Sequence, residues 1–290
     1  WPDVLVAETR GGGGGSLREF CVLAEASGAA ALPLPLAAAA AANWCEQRTS
    51  DGLTLVLDEV GTVVGDEVHG TWPIVPFGGV ADRLLILARR DSEPVLGVVG
   101  VGDGGVQRTA EQPLDHGPAA TITLTNTPFR PLASGASAAT RHHEAVSRSR
   151  LATVAELVGI ASSANDAAVE YAKMRKTFGQ PIGARQAIKH RLVDQRSVIE
   201  IARALVNRAA DACELQHPDA EALVSLAIFW AIDSLRRVPE GATQVFGGIA
   251  YTWEHEAHVH LRRAATRVTM LGSRSEHRAV VADWLRTRSQ

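Results

Sequence analysis

The sequence is short of cysteine and of long apolar runs, and both shortages limit what the protein can be. Its three cysteines, Cys21, Cys45 and Cys213, show no Cys-x-x-Cys spacing, so neither a disulfide framework nor a thiolate zinc site is indicated. The most apolar stretches, residues 28–42 and 222–232, fall short of the roughly 20 residues that a membrane-spanning helix needs. No cationic, cleavable leader opens the chain, and we therefore expect a cytoplasmic protein without a membrane span.

Charge is nearly balanced over the whole chain but unevenly distributed along it. The 290 residues are 46% apolar and 21% charged with a net charge of −3, as in globular proteins that have a core. Residues 1–140 carry 8 basic and 16 acidic side chains, whereas residues 141–290 carry 21 basic and 16 acidic ones. The basic residues of the second half are mostly arginines, which suit an anionic ligand or a solvated helical surface. A nucleic-acid binder is usually far more basic, so we expect no nucleic-acid partner.

Composition and periodicity divide the chain into three predicted parts of an α+β protein. Residues 1–42 combine a glycine run with one helix that ends near Gly28. Residues 43–136 contain short β-branched runs separated by Gly, Asp and Pro, which predicts an antiparallel β barrel or sandwich. Residues 137–290 change to a period of 3.6 and predict a bundle of four long helices, at 144–176, 186–215, 219–238 and 256–271, followed by a last helix near 275–288.

Two other patterns in the sequence are weak as functional signals. His255, His258 and His260 follow Glu254 without the spacing that sets two histidine ligands on one helical face. We interpret them as a surface or interface cluster and expect no metal site. Gly100-x-Gly102 is not followed by a helix, so it lacks the dipole that binds a pyrophosphate and is interpreted as a turn.

Three segments of the chain contain distinctive motifs. YAKMRKTFGQPI at 171–182 contains a Tyr and an Arg-x-x-Phe-Gly pattern, and QVFGGIAYTWEHEAHVHLRRA at 244–264 contains a Gln-x-x-Gly-Gly pattern; both resemble signatures of the acyl-CoA dehydrogenase family. WPDVLVAETRGGGGGS at 1–16 resembles its Trp-Pro and glycine-rich loop. The resemblance implies an N-terminal helical part, a middle β domain, a C-terminal four-helix bundle, an acyl-CoA substrate and FAD as cofactor. Because the chain begins at Trp1 rather than Met, we expect the N-terminal part to be truncated.

The resemblance also implies which residues bind the cofactor. In the family, such residues reach across a subunit interface to the FAD of the neighbouring protomer, and here they are Arg175, Thr177, Phe178, Gln244, Gly247 and Gly248. A pyrophosphate needs an arginine and accessible backbone N–H groups, and glycines remove the Cβ atoms that would block the approach. The alternative is that Arg175 caps a helix and that Gly247–Gly248 forms only a tight turn.

The chain departs from the family where the catalytic glutamate is expected. That glutamate removes the proton α to the thioester, and its two family positions are occupied here by Leu271 and Ser149, neither of which is a base. Glu156 and Glu254 are the nearby carboxylates that remain as alternatives. The middle part also lacks the family's Thr-Glu loop, and its flavin-side strand is reduced to GTWPIVP at 70–76.

These departures suggest a noncatalytic subunit of a heteromeric enzyme. Enzymes of α2β2 composition that resemble those acting on steroid side chains in actinobacteria pair one degenerate subunit with a homologous subunit that carries the glutamate. Two alternatives stay open. In the first, the chain is a self-sufficient dehydrogenase or oxidase that uses a non-standard base such as Glu156 or Glu254. In the second, it is a scaffold that binds no flavin.

Overall fold

The computed structural model describes residues 2–49 and 51–288, which form two compact units. The first unit contains the chain up to Ser16 together with Pro33–Ser149, and the second contains Leu17–Leu32 together with the chain from Arg150 onwards. The division at residues 42 and 136, drawn from composition, stays a prediction about domain boundaries.

The first unit is built on one sheet of seven strands. The strands are β1 (Thr54–Val64), β2 (Glu67–Val75), β3 (Arg83–Arg90), β4 (Glu93–Gly100), β5 (Val106–Glu111), β6 (Ala119–Pro128) and β7 (Arg130–Ser134). Their order across the sheet is β5-β6-β2-β1-β3-β4-β7. β1, β3, β4 and β6 overlap the apolar, β-branched runs LTLVL, RLLILAR, PVLGVVGV and ATITLT that the sequence predicts as strands, and β2 contains most of GTWPIVP.

One pair of neighbouring strands differs from the antiparallel arrangement expected from the sequence. β1 and β3 pair in parallel, with Thr54 opposite Arg83 and Thr62 opposite Arg89, whereas every other ladder of the described sheet is antiparallel. The chain makes a hairpin from β1 to β2 and then passes to the other side of β1 before it forms β3. The sheet is therefore mixed, although most of its pairs are the predicted ones.

The larger apolar cluster of the first unit includes an aromatic residue from the reduced GTWPIVP strand. Trp72 is buried beside Leu84, Ile86, Ile122 and Phe129 in one apolar cluster. The residual strand therefore serves here as part of the packed core.

A helix in the first unit was not expected from the sequence. α2 (Leu36–Glu46) begins directly after Pro35 and consists largely of alanine. Alanine has the highest helix propensity, and proline is tolerated where a helix begins. Ala42 and Cys45 pack against Leu85 and Leu96 of the sheet, which supplies the burial that fixes this helix.

The glycine-rich N-terminal segment folds back on itself within the first unit. The amides of Gly13 and Gly15 donate to the carbonyls of Asp3 and Val4 at 3.0 and 2.8 Å. A Cβ at Gly12 would lie only 2.2 Å from the carbonyl oxygen of Val6, so this close turn requires glycine. Trp1, which belongs to the N-terminal motif, lies outside the described residues.

The second unit is helical. It contains α1 (Leu17–Ala29), the C-terminal part of α3 (Gly135–Met174), α4 (Gln186–Glu214), α5 (Ala220–Trp230), α6 (Arg237–Phe246), α7 (Ala257–Thr269) and α8 (Arg274–Arg288). A π-helical turn, Ala231–Leu235, joins α5 to α6, and two short strands, β8 (Lys176–Thr177) and β9 (Gln180–Pro181), follow α3. Among the described residues, no helix is both long enough and apolar enough to cross a membrane.

Two glycines allow α1 and α3 to approach closely in the second unit. A Cβ at Gly159 would lie 1.9 Å from the carbonyl oxygen of Glu25, and one at Gly28 would lie 2.0 Å from that of Glu156. Neither position can hold a larger residue without separating the helices. Gly28 is therefore buried in a helix contact, near the predicted helix end.

Candidate functional site

The first C-terminal motif forms a tight hairpin at the end of α3. The amide of Arg175 donates to Tyr171 at 2.8 Å, and the amide of Ile182 then donates back to the carbonyl of Arg175 at 2.8 Å. Between β8 and β9, Phe178 and Gly179 have φ angles of 52° and 79°. Two successive positive φ angles are typical of the two-residue turns that match the twist of a hairpin. The turn therefore presents Phe178 at its tip.

The hairpin exposes an aromatic ring and a guanidinium group. Phe178 is 94% exposed, and the Arg185 guanidinium lies 5.4 Å from its ring centroid. The Arg175 side chain is exposed and makes no hydrogen bond or ion pair with any other described residue. Thr177 is half-buried in β8. A strained turn that holds a large apolar side chain in solvent is suited to a contact with another molecule.

The second motif forms the end of α6 and the 3₁₀ turn Gly247–Tyr251 that follows it. Gly247 has φ 69° and ψ −142°, which only glycine adopts readily. A Cβ built on Gly247 or Gly248 would meet no atom within 4 Å. Crowding inside the chain therefore does not explain the glycine at 248, and the backbone there is open to an approaching group.

A shared apolar cluster in the second unit joins the two motifs. The rings of Tyr171 and Phe246 pack edge to face, with centroids 5.2 Å apart. Ile182, from the first motif, packs on the same cluster as Ala250, from the second. The structure thus brings the two predicted binding segments together at one end of the bundle.

Two aromatic residues of the second motif extend this surface, although the motif comparison did not single them out. Tyr251 is 70% exposed, and its hydroxyl lies 3.5 Å from Nε2 of Gln244. Trp253 is 71% exposed, and the Arg262 guanidinium lies 4.6 Å from its ring. The signal in the sequence was two aromatic residues just after a Gly-Gly turn, where burial would not be expected. We define the adenylate surface, named for the part of FAD that the family resemblance leads us to expect there, as the hairpin 175–181 together with residues 244–253.

The residue at the more common of the two glutamate positions of the family, Leu271, is inaccessible to solvent. Leu271 is fully buried, and its carbonyl oxygen accepts a hydrogen bond from Nε2 of His277 at 2.8 Å. A Cβ at the next residue, Gly272, would lie 2.7 Å from a terminal nitrogen of Arg150. An apolar side chain and a guanidinium group thus occupy the place where a carboxylate is expected. Ser149, at the alternative position, is half-buried on α3.

Glu156 is fully engaged by two arginines. Its Oε1 accepts hydrogen bonds from Arg263 Nη2 at 2.6 Å and from Arg267 Nε at 3.0 Å, while its Oε2 lies 2.9 Å from the same Arg267 nitrogen. All three side chains are buried. A carboxylate held in this way is suited to joining α3 to α7, because taking up a proton would remove the partner of two buried cations.

Glu254 lies in a different environment. It is exposed at the edge of a cavity of about 480 Å³ that is also lined by Tyr171, Phe246 and His260. Within the described part of the chain, no hydrogen bond or ion pair engages its carboxylate.

The three histidines each have an internal contact. Among them, the His255 ring lies 4.4 Å from that of Phe246, and Nε2 of His258 lies 3.2 Å from the carbonyl oxygen of Trp253. His260 is buried, and this burial lowers its pKa. The described residues contain no group of three or more His, Cys, Asp or Glu side chains arranged to hold a metal ion.

Comparison with known proteins identifies the fold. The family model "Acyl-CoA dehydrogenase, C-terminal domain" matches residues 139–286, slightly more than half of the chain. The chain belongs to the acyl-CoA dehydrogenase family. The predicted α+β class, with a β domain followed by a helical bundle, is confirmed for this family member.

Two curated relatives come from Mycobacterium tuberculosis strain H37Rv. The acyl-CoA dehydrogenase IpdE2 is 42% identical over 122 residues, which cover 42% of this chain and 36% of IpdE2. The acyl-CoA dehydrogenase FadE34 is 30% identical over 278 residues, which cover 90% of this chain and 37% of FadE34. The family member therefore spans little more than a third of the length of these relatives.

A solved structure resembles the chain over almost its whole length. The Tcur3481-Tcur3483 steroid ACAD, studied as a variant, superposes with a TM-score of 0.88 at 25% sequence identity. The match covers 99% of this chain and 86% of that one.

Proposed function

We propose that the chain is a noncatalytic subunit of a flavin-dependent acyl-CoA dehydrogenase complex. It lends the adenylate surface to the ADP part of an FAD that a homologous partner subunit holds. The partner also supplies the glutamate that removes the α proton of the acyl-CoA substrate, in an α2β2 complex.

The observation that carries this proposal is that the adenylate surface presents binding groups that no other described residue of the chain engages. Arg175 has no partner within the described chain, Phe178 is 94% exposed and Gly248 faces open space. A guanidinium fork, accessible backbone N–H groups and an aromatic face are the groups that recognise a pyrophosphate and an adenine. The residues present thus fit the ADP part of FAD.

The state of the proton-abstraction site supports the noncatalytic role. Leu271 and Ser149 stand where the family has a base, and the carboxylate of Glu156 is held by Arg263 and Arg267. General base catalysis needs a carboxylate that is free to take up a proton from the substrate, which excludes Glu156 and leaves the exposed Glu254 as the alternative base. In the complex, bound FAD would supply the hydride acceptor for oxidation at the β carbon of the thioester. This chain's own contribution is to bind and orient the ADP part of that cofactor across the subunit interface.

The likeness to the Tcur3481-Tcur3483 steroid ACAD supports both the pairing and the substrate class. The name of that protein joins two components and specifies a steroid ACAD. We therefore propose CoA thioesters with steroid-derived acyl chains as substrates, and a homologous dehydrogenase chain as the partner.

The experiment compares the isolated chain with the complex that it forms with its partner. We expect the chain alone to bind little FAD and not to oxidise acyl-CoA, whereas the complex binds FAD and is active. Arg175→Gln removes a charge-assisted hydrogen bond worth about 1.5–3 kcal/mol. FAD affinity of the complex should therefore fall roughly ten- to a hundredfold.

A matched control separates this effect from a general loss of charge. Arg278 is exposed on α8 and, like Arg175, engages no other described side chain. Arg278→Gln should leave FAD affinity unchanged. Robust turnover by the isolated chain, or equal FAD affinity of the two variants, would overturn the proposal.

A further inference from the structure

A cavity in the helical unit is lined by the C-terminal part of α3, by α6 and by residues 254–260. Its volume is about 480 Å³, and small-molecule sites have volumes of roughly 300–1,000 Å³. All of its lining residues belong to the second unit. The proposed cofactor role assigns no ligand to this cavity.

Three aromatic rings stand side by side in the lining. The centroid of the Phe246 ring lies 5.2 Å from that of Tyr171 and 4.4 Å from that of His255. Nδ1 of His255 accepts a hydrogen bond from the amide of Ala257 at 3.1 Å, so this nitrogen carries no proton and the ring is neutral. Aromatic rings attract cations through the negative charge of their π faces. The row of rings is therefore suited to an organic cation.

The charged side chains of the lining are all of one sign. Glu170, Glu254 and Glu256 line the cavity, and the lining contains no lysine or arginine of the described chain. Glu170 is paired with Lys173 at 2.6 Å. Glu254 and Glu256 are exposed, and neither carboxylate makes a hydrogen bond or ion pair with another described residue. Two negative charges of the lining are therefore left for a ligand.

His260, which also lines the cavity, adds no positive charge at neutral pH. Its burial lowers its pKa below the ordinary value of 6.5. Glu256 opposes this shift of the pKa and Arg263 adds to it, so both charges act at the ring. Arg263 is itself bound to the carboxylate of Glu156 at 2.6 Å. A cation that enters the cavity therefore meets mainly negative charge.

Much of the remaining wall is apolar. Ala164, Met174, Pro239 and Ala242 line the cavity. A primary ammonium group carries three N–H donors, and such a wall offers them no acceptors. A quaternary ammonium group has no N–H donor, and its methyl groups pack against apolar and aromatic surfaces. The lining therefore favours a quaternary ammonium group over a primary one.

We propose that this cavity binds a small molecule that carries a quaternary ammonium group. The cation lies beside the rings of Tyr171, Phe246 and His255. The carboxylates of Glu254 and Glu256 stabilise it through their charge, which acts over several ångströms and does not require that both contact the same atom. The site is independent of the proposed role in FAD binding.

Calorimetric titration of the full chain tests the proposal with choline and two matched ligands. The first is the neutral alcohol in which a carbon atom replaces the choline nitrogen, so that shape is kept and charge is removed. Choline should bind at least about tenfold more tightly than this alcohol. The second is ethanolamine, whose primary ammonium group should bind more weakly than choline. Equal affinity for choline and the neutral alcohol, tighter binding of ethanolamine, or the absence of saturable choline binding would overturn the proposal.

Charge variants test the role of the two free carboxylates. The double change Glu254→Gln and Glu256→Gln should weaken choline binding at least about fivefold. The matched control is the double change Glu221→Gln and Glu276→Gln, which removes two exposed carboxylates from α5 and α8 and should have no effect. Circular dichroism without ligand confirms that each variant is folded. Unchanged choline affinity of the Glu254 and Glu256 double variant would overturn the proposal.

Two further variants separate the cavity from the adenylate surface. Arg175 and Trp253 belong to that surface, are exposed and do not line the cavity. Arg175→Gln and Trp253→Ala should both leave choline affinity unchanged. The second variant is needed because an exposed indole also attracts cations. Loss of choline binding in Trp253→Ala would assign the cation to the exposed indole and overturn the proposal, whatever the outcome of the FAD titrations.

Discussion

The carbonyl oxygen of Leu271 accepts a hydrogen bond from Nε2 of His277 at 2.8 Å, and Ser225 Oγ lies 3.2 Å from the other nitrogen of that ring. All three residues are buried. The turn that would present a catalytic glutamate is therefore tied to α8 and α5 through one imidazole. A segment fixed in this way is suited to a structural role, which agrees with the leucine at its centre.

Replacing His277 should loosen this turn without any effect on surface charge. His277→Phe keeps an aromatic ring but leaves the Leu271 carbonyl and the Ser225 hydroxyl without a partner. Each buried unsatisfied group costs about 1–3 kcal/mol. We expect the free energy of unfolding, measured by urea denaturation, to fall by at least about 1 kcal/mol, while Arg278→Ala nearby changes it little. A His277→Phe protein as stable as the original would contradict this role of the ring.

Glu156→Gln distinguishes a structural carboxylate from a catalytic one. The change removes the negative charge between two buried arginines, and breaking a buried ion pair typically costs about 3–5 kcal/mol. We expect a large loss of stability in thermal or urea unfolding. Complexes that still assemble should keep their turnover per bound FAD. Abolished turnover in a variant of unchanged stability would instead restore Glu156 as a base. The exposed Glu254→Gln is the control and should change stability by no more than about 0.5 kcal/mol.

The motifs show how far the sequence predicts the site. Arg175, Phe178, Gln244 and the glycine pair could be proposed because their spacing is local, and a turn requires particular residues at particular positions. The engagement of Glu156 by Arg263 and Arg267 joins positions more than one hundred residues apart and leaves no local pattern. Partners of this kind depend on tertiary packing alone.

The fold shows the same limit in two places. Strands with alternating or continuous β-branched residues were predictable, but the parallel pairing of β1 with β3 depends on the route of the chain between strands. The helix Leu36–Glu46 was obscured by Pro33 and Pro35, which usually mark a break. Here the two prolines precede the helix, and burial of its alanine-rich face against the sheet decides the conformation.

Stability should depend on pH through His260. Burial lowers the pKa of this histidine below its ordinary value of 6.5, with Arg263 acting in the same direction and Glu256 opposing it. The unfolded chain then binds more protons than the folded chain at mildly acidic pH, so stability is lost as the pH falls through about 6.5. His260→Gln should reduce the slope of unfolding free energy against pH between about 7 and 5. An identical slope in the variant would show that other groups cause the dependence.

Substitutions at Gly247 and Gly248 separate an effect on FAD binding from an effect on folding. A Cβ at Gly248 meets no atom within 4 Å in this chain, so Gly248→Ala should change the free energy of unfolding by less than about 1 kcal/mol. Gly247 has a positive φ of 69°, and Gly247→Ala should therefore destabilise the chain by roughly 1–3 kcal/mol. If the backbone at 248 contacts the pyrophosphate of a partner's FAD, the methyl group of Gly248→Ala obstructs that approach. FAD affinity of the complex, measured by fluorescence titration, should then fall although the isolated variant is as stable as the original chain. Unchanged FAD affinity of the Gly248→Ala complex would show that this glycine does not face the cofactor.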